Sequence, residues 1–280
     1  MLLSRLEKSR PFFLIAGLNV LESYSHTLAV ARECVRVSNE LGIALVFKAS
    51  FDKANRTSLD GFRGPGLREG LKQLKQLKSD LPGLFVVTDV HEYEQCARVK
   101  DAGIDMLQIP AFLCRQTDLL LAAAETNLPV MIKKAQFASP QVMHSAVHKI
   151  LSVSDGSNKV LVCERGTSVG SDLLVVDFRN LVWLRGANHL VVFDATHSGQ
   201  RPPGINGNVN GVGSSGDAFA VECLARAAVA VGVDGLFLEV HQDPASAPVD
   251  SKLQYPLHRL EPFLRELVDI GNASKWRLGG

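Results

Sequence analysis

The chain repeats one pattern eight times, a short apolar run followed by a segment long enough for a helix. The runs occupy residues 12–16, 43–47, 84–87, 106–109, 130–132, 160–162, 190–193 and 235–238. Short apolar runs of this kind read as strands buried on both faces, the signature of a parallel sheet. Several spacers carry helical periodicity: Leu28, Ala31, Val35 and Val37 ahead of Leu41-Gly42; Leu67, Leu71, Leu74 and Leu77; residues 119–124; and residues 223–231. Alternating strands and helices, with no composition break and no Pro/Ser-rich linker, predict an α/β fold with a closed parallel barrel, one domain over residues 1–280. A doubly wound open sheet is the competitor.

The placement of polar residues favours the barrel. Reading outward from each run gives Asn19, Lys48, Asp89, Gln108, Lys133, Arg165, His197 and Glu239, all at or just beyond a carboxyl strand end. A parallel barrel carries its active site on that face, whereas the opposite face serves stability.

The net charge of +1 gives no global field to attract nucleic acid or an anionic membrane, so neither is expected as a partner and any cationic site must be local. The five cysteines are far apart and form no Cys-x-x-Cys pair, which argues against a disulfide framework and a zinc cluster and suits a reducing compartment. No apolar stretch approaches the roughly eighteen residues of a membrane span. A cytoplasmic protein is expected.

Local cation density is highest in Lys48-Ala-Ser-Phe-Asp-Lys-Ala-Asn-Arg-Thr-Ser58, which leaves the end of the second run. Its lysines, arginine, amide and hydroxyls suit phosphates and carboxylates, although an ordinary solvated loop has a similar composition. Gln108-Ile-Pro-Ala-Phe-Leu-Cys-Arg-Gln-Thr-Asp118 runs from a strand end into a helix capped by Thr117 or an earlier residue, where backbone N–H groups and Arg115 can meet an anion. Lys133-Lys134-Ala-Gln136 sets an amine at a strand end, a candidate proton donor or acceptor if buried among other cations. Cys163-Glu-Arg-Gly-Thr167 offers Arg165 on a glycine turn, with Glu164 as a salt-bridge former and Cys163 as core. His197, Glu239 and Asp250 begin a divalent-metal site, but the corresponding residue of the first strand is Asn19, and an amide is a poor transition-metal ligand. His241 and Asp243 read as loop organisers, and the glycine-rich segment 199–216 as a mobile lid.

Taken in order, these segments, together with Ala16-Gly-Leu-Asn-Val-Leu-Glu-Ser23, Phe62-Arg-Gly-Pro-Gly66, Thr88-Asp-Val-His-Glu92 and Phe237-Leu-Glu-Val-His241, resemble the 3-deoxy-D-manno-octulosonate 8-phosphate synthases over nearly the whole chain. The Lys-Ala-Ser-Phe-Asp-Lys-Ala-Asn-Arg segment separates them from the heptulosonate 7-phosphate synthases, and the nearest likeness is to plant-type sequences. The resemblance implies a (β/α)8 TIM barrel, a homotetramer, that condenses phosphoenolpyruvate with D-arabinose 5-phosphate and releases phosphate. It implies Lys48 and Lys53 at the phosphoenolpyruvate carboxylate, and Lys133, Arg165 and the Ala111 backbone at its phosphate. Asn55, Arg56 and Thr57 take the sugar phosphate, helped by Arg115 of the partner subunit. Ser50, Asp89, Gln108, Phe112, Gln136, Gln200 and Glu239 complete the substrate contacts. Lys133 is the candidate to protonate the alkoxide, and His197 with Asp250 to orient the attacking water. Metal-dependent members carry cysteine, histidine, glutamate and aspartate where this chain has Asn19, His197, Glu239 and Asp250. No metal and no other cofactor is therefore expected.

Departures lie near the chemistry. An aromatic-Gly-Tyr segment is Val169-Gly-Ser171 here, Ser-Gly-Gly-x-Arg is Ser215-Gly-Asp-Ala-Phe219, and Thr-His-Ser-Leu-Gln is Thr196-His-Ser-Gly-Gln200. They leave two alternatives open: a related synthase using another sugar, or a binding protein that keeps the pocket without turnover.

Overall fold

A computed structural model describes residues 2–56, 58–153, 160–170, 174–186, 189–201, 215–216 and 218–274. Eight parallel strands close on themselves: β1 (Phe13–Val20), β2 (Leu45–Ser50), β3 (Phe85–Asp89), β4 (Met106–Ile109), β5 (Val130–Lys133), β6 (Val160–Glu164), β7 (His189–Asp194) and β8 (Gly235–His241). Each pairs with the next, and β8 returns to β1 with Phe13 opposite Gly235 and Gly17 opposite Glu239. The open-sheet alternative is thereby excluded, and the fold is a (β/α)8 barrel.

The helices are α1 (Leu2–Lys8), α2 (Tyr24–Leu41), α3 (Gly66–Asp80), α4 (Tyr93–Asp101), α5 (Thr117–Glu125), α6 (Pro140–Leu151), α7 (Arg179–Trp183), the single turn α8 (Ala195–Ser198), α9 (Ala218–Val231) and α10 (Leu260–Ala273). Their ends follow local chemistry. Ser23 caps α2 by accepting the His26 N–H, and Gly42 closes that helix in the left-handed conformation at φ 67°. Ser139 caps α6 ahead of Pro140, whose missing N–H costs nothing in the first turn. Thr117 is not a cap: α5 begins there, and Gln116 precedes it without a side-chain capping bond.

Side chains alternate across the barrel wall. The outward set, including Leu14, Ala16, Phe47, Val86, Ile132 and Val162, packs against the apolar stripes of the helices, such as Val30, Cys34 and Val37 of α2 and Leu71, Leu74 and Leu77 of α3. The inward set, Phe13, Ile15, Val46, Val87, Met106, Met131, Leu161, Cys163, Val192 and Phe237, fills the barrel floor together with Leu2 and Leu6 of α1. α1 therefore plugs the amino-terminal end, and the inward positions nearer the carboxyl end are left for polar groups.

Gly17 lets β1 and β2 approach. Its φ is +155°, and a Cβ there would sit 2.1 Å from the Lys48 carbonyl oxygen, so only glycine fits. Among the described residues no helix is long and apolar enough to cross a membrane.

Candidate active site

Two residues past the last apolar inward position, nearly every strand turns polar. Val46 is followed by Lys48, Val87 by Asp89, Met106 by Gln108, Met131 by Lys133, Cys163 by Arg165, Val192 by Asp194 and Phe237 by Glu239, while Asn19 follows Gly17. These eight side chains form a buried polar collar above the apolar floor. His197 lies just beyond the end of β7, on the short helix α8; the side chain that β7 itself adds to the collar is Asp194, which caps α8 by accepting the His197 N–H at 2.9 Å.

The collar is organised around paired charges. Lys48 Nζ donates to Glu239 Oε1 at 2.7 Å and to the carbonyls of Asn19 at 2.9 Å and Leu18 at 3.2 Å, which uses all three ammonium N–H bonds. Burial lowers the Lys48 pKa, yet with three acceptors the ammonium form is the one held. Burial would raise the Glu239 carboxyl, but the charges of Lys48, His197 and Lys53 outweigh it and hold Glu239 down at about 2. Asn19 Nδ2 donates to the other Glu239 oxygen at 2.5 Å and to Asp250 at 3.1 Å, and Asp250 itself sits in left-handed backbone at φ 49°. His197 Nε2 lies 3.6 Å from Glu239. Asn19, His197, Glu239 and Asp250, nominated from distant segments, are thus one constellation.

A second cluster joins β5, β7 and α8. Lys133 Nζ donates to Asp194 and stands 3.2 Å from the centre of the Phe237 ring. Its neighbour is a carboxylate, in place of the cationic surroundings expected for it. Burial raises the Asp194 carboxyl, but His197, Lys133 and Arg165 drive it well below the usual carboxylate range. An ionised carboxylate only accepts, so the contact of 2.8 Å between His197 Nδ1 and Asp194 Oδ2 places the proton on Nδ1 and directs Nε2 towards Glu239.

Asp89 is likewise held well below the usual range: burial opposes ionisation, but the His91 hydrogen bond at 3.1 Å and the charges of Lys53 and Lys48 prevail. Lys53 leaves β2 on a loop whose base is tied by the Lys53 N–H to the Arg63 carbonyl at 2.8 Å and by the Arg63–Asp52 ion pair. Asn55 is exposed and Arg56 half-buried on that loop, and Thr57 lies outside the described residues. Arg165 Nη2 donates to Gln200 Oε1 at 2.7 Å, and burial lowers the guanidinium pKa. The 3-10 turn Ala111–Leu113 follows β4; Phe112 is 57% exposed and Arg115 is exposed at the rim, where its carbonyl accepts from Lys149. The stretch of the expected lid from 202 to 214 lies outside the described residues.

Most of the buried side-chain polar atoms without a protein partner among the described residues lie on these same elements, including Asn19 Oδ1, Ser50 Oγ, Arg56 Nε, Asp89 Oδ1, Gln108 Oε1, Gln136 Oε1 and Arg165 Nη1, whereas Gln73 Oε1 and Gln254 Oε1 lie elsewhere. Buried polar groups are rarely left unpaired except where function calls for them. The set mixes donors with acceptors, as a phosphorylated, hydroxylated molecule requires.

Glu22, His26 and His241 form a separate group, with ligand-type atoms within 4.8 Å of one another. The Asp243 N–H donates to His241 Nδ1 at 3.1 Å, so Nε2 carries the proton and donates it to Glu22 at 3.0 Å. His241 and Asp243 organise the loop, as the sequence suggests.

Two contributors, Asp194 and His91, escaped sequence reasoning, and so did the partner of the salt-bridge former Glu164. Asp194 and His91 were each detectable as the inward position two residues beyond Val192 and Asp89. That Glu164 pairs with Lys134, fully buried and 3.3 Å away, had no such signal, because both face the apolar shell.

A closed α/β barrel whose carboxyl rim buries lysines, an arginine, a histidine and ionised carboxylates has the form of an enzyme site for small anionic substrates, with groups able to move protons. The chain belongs to the DAHP synthetase I family, whose sequence model matches residues 7–275. It is 52% identical over 277 residues to 2-dehydro-3-deoxyphosphooctonate aldolase 1 of Arabidopsis thaliana, covering 98% of this chain and 93% of that protein. The 2-dehydro-3-deoxyphosphooctonate aldolase of Pisum sativum is 51% identical over the same span and shares. That of Syntrophotalea carbinolica is 49% identical over 267 residues, 95% of this chain and 93% of the relative.

Proposed function

We propose that this chain is a 3-deoxy-8-phosphooctulonate synthase, joining phosphoenolpyruvate to D-arabinose 5-phosphate to make 3-deoxy-D-manno-octulosonate 8-phosphate and phosphate. The observation that carries this reading is the buried polar collar, in a chain that aligns over nearly its whole length with relatives named for the octulosonate aldolase. Two phosphates and a carboxylate must be neutralised, and one rim supplies Lys48, Lys53, Lys133, Arg165 and Arg56 for them.

Lys48 and Lys53 face the phosphoenolpyruvate carboxylate, and Lys133, Arg165 and the Ala111 N–H face its phosphate. Asn55, Arg56 and Thr57 take the sugar phosphate, with Arg115 of the partner subunit. Ser50, Asp89, Gln108, Phe112, Gln136, Gln200 and Glu239 surround the two reacting carbons. The enol carbon bonds to the sugar aldehyde, and the alkoxide takes a proton from Lys133 Nζ. Water then adds to the carbon bearing phosphate, oriented by Asp250 and by His197 Nε2, whose tautomer Asp194 sets. Nε2 takes the water's proton, and the hemiketal phosphate so formed breaks its carbon–oxygen bond to release phosphate and leave the 2-keto product. Such positioned proton transfers contribute typically 10²–10⁴-fold, and near-attack placement supplies a further share of the rate.

The donor set does not fit a divalent ion. Asn19 turns its amide N–H towards both Glu239 and Asp250, holding with hydrogen bonds the two carboxylates a metal would need. No step is routed through a metal, and the metal-independent, plant-type subclass is the reading favoured. Asn19→Cys should introduce metal binding; loss of wild-type activity in chelator, restored by manganese, would refute this part.

The homotetramer rests on the resemblance to the octulosonate synthases, and the exposed aromatics Phe112, Phe137 and Phe219 are apolar surface that association would cover. A reducing, cytoplasmic setting is favoured by unpaired cysteines, four of them buried. The family match over residues 7–275 supports one catalytic domain.

The direct test is mass-spectrometric detection of the eight-carbon product from the two substrates. A preference for a four-carbon aldose phosphate would move the assignment to a related synthase, and tight phosphoenolpyruvate binding without product would make the chain a binding protein.

A further inference from the structure

We infer that Lys134 and Glu164 are positioning residues for the phosphate-binding side of the site, acting through Arg165 and through the connection that carries Gln136. The inference rests on the function proposed above and names two residues that never touch substrate.

Lys134 follows Lys133, so its side chain leaves the opposite face of the barrel wall and enters the shell between strands and helices. The outward neighbours there, Ile132 and Val162, are apolar core. Both Lys134 and Glu164 are fully buried. Charge pairs at such depth rarely add net stability over apolar residues of the same size, so stability alone does not account for this one.

The contacts supply the account. Lys134 Nζ lies 3.3 Å from the carbonyls of Ala135 and Ala138, 3.2 Å from that of Gly166, 3.2 Å from Thr167 Oγ1 and 3.3 Å from Glu164 Oε1. Two of these acceptors belong to the connection after β5, and the others to β6 and the turn after it. One ammonium therefore ties together the exits of adjacent strands. Glu164 Oε1 also accepts the N–H groups of Arg165 at 2.9 Å and of Gly166 at 2.6 Å, and Gly166 has φ +90°. Successive N–H groups folded round one carboxylate oxygen fix the turn, and with it the direction in which Arg165 departs. Backbone bonds from Lys134 N to Cys163 O at 2.8 Å and from Ser168 N to Gln136 O at 3.0 Å complete the seam.

Each exit presents an orphaned buried atom, Arg165 Nη1 from one and Gln136 Oε1 from the other. The pair fixes their separation before substrate arrives. A phosphate dianion accepts from Nη1, so loosening the seam should weaken the phosphoenolpyruvate end selectively and leave the sugar end, carried on the loop after β2, unchanged.

Three variants test this alongside wild type: Glu164→Gln, which keeps a carbonyl acceptor for both N–H groups but drops the charge, Lys134→Met, and the two combined. Each single change should raise the KM for phosphoenolpyruvate about tenfold or more, as weakening of a charge-assisted bond to phosphate would, with the KM for arabinose 5-phosphate within about threefold. The double variant, with no unpaired charge, should regain most of the melting temperature lost by the singles while its phosphoenolpyruvate KM stays high. Calorimetric titration with phosphoenolpyruvate should show the same weakening. An unchanged phosphoenolpyruvate affinity in the double variant, or equal rises in both KM values, would overturn the inference. If the singles do not fold, the double variant decides. Product formation by wild type reports separately on the reaction, and the titration stands whether or not turnover is seen.

Discussion

Replacing Lys48 by methionine isolates the interaction at the centre of the collar. The side chain is 1% exposed and reaches Glu239, the Asn19 carbonyl and the Leu18 carbonyl, and methionine keeps its length without a donor. Glu239, fully buried, would retain the Asn19 amide at 2.5 Å and His197 at 3.6 Å but lose its only full cation contact below 3 Å among the described residues. Removing one member of a buried pair costs about 3–5 kcal/mol because the surviving charge is stranded. At about 2–4 °C per kcal/mol for a large domain, the melting temperature should fall by roughly 6–20 °C near neutral pH. The assay is thermal unfolding followed by circular dichroism, paired with a urea titration. Adding Glu239→Gln removes the stranded charge and should return at least half of the loss. A Lys48→Met protein melting within about 2 °C of wild type would refute the reasoning, since a buried, triply bonded ammonium cannot be deleted at so small a cost.

Three further outcomes follow from the geometry. Gly17→Ala drives a Cβ against the Lys48 backbone carbonyl, which cannot swing aside as a flexible side chain could, and should lower stability by about 2–4 kcal/mol in urea; a wild-type midpoint would contradict the close strand approach. Asp194→Asn removes the carboxylate that holds the proton on His197 Nδ1 and pairs with Lys133, and should lower kcat by about two orders of magnitude or more while the protein still folds; an unimpaired kcat would dismiss Asp194 from the machinery. Glu239 has a folded pKa of about 2 against an ordinary 4.5, and Asp89 and Asp194 are depressed as well, so their contribution is present above pH 4.5 and lost as the pH falls towards 2. Urea stability should decline across that window and less steeply in Glu239→Gln, whereas a flat profile would count against the ionised collar.

The barrel was readable because its signal is local. Run 106–109 is β4 residue for residue, and each inward alternation carries its apolar start to a polar end without reference to any other strand. The members of the site were readable for the same reason; their partnerships were not. Asn19 meets Glu239 across 220 residues of chain and Lys133 meets Asp194 across 61, distances over which spacing says nothing. Asp194 was passed over beside His197 because histidine is the conspicuous residue of Asp194-Ala-Thr-His, although strict alternation from Val192 points to the aspartate. Lys134 and Glu164 defeated the rule that outward positions on barrel strands are apolar. α1 was missed because a seven-residue helix with Leu2 and Leu6 as its apolar contacts has too little periodicity to register.

Phosphate release by chelator-treated protein tests the central claim most directly. Phosphoenolpyruvate would be supplied with and without arabinose 5-phosphate, and no metal added. Release that requires both substrates is the predicted result and supports the condensation and the role of Asn19 together. Silence under every condition while phosphoenolpyruvate still binds, or release from phosphoenolpyruvate alone, would contradict the account.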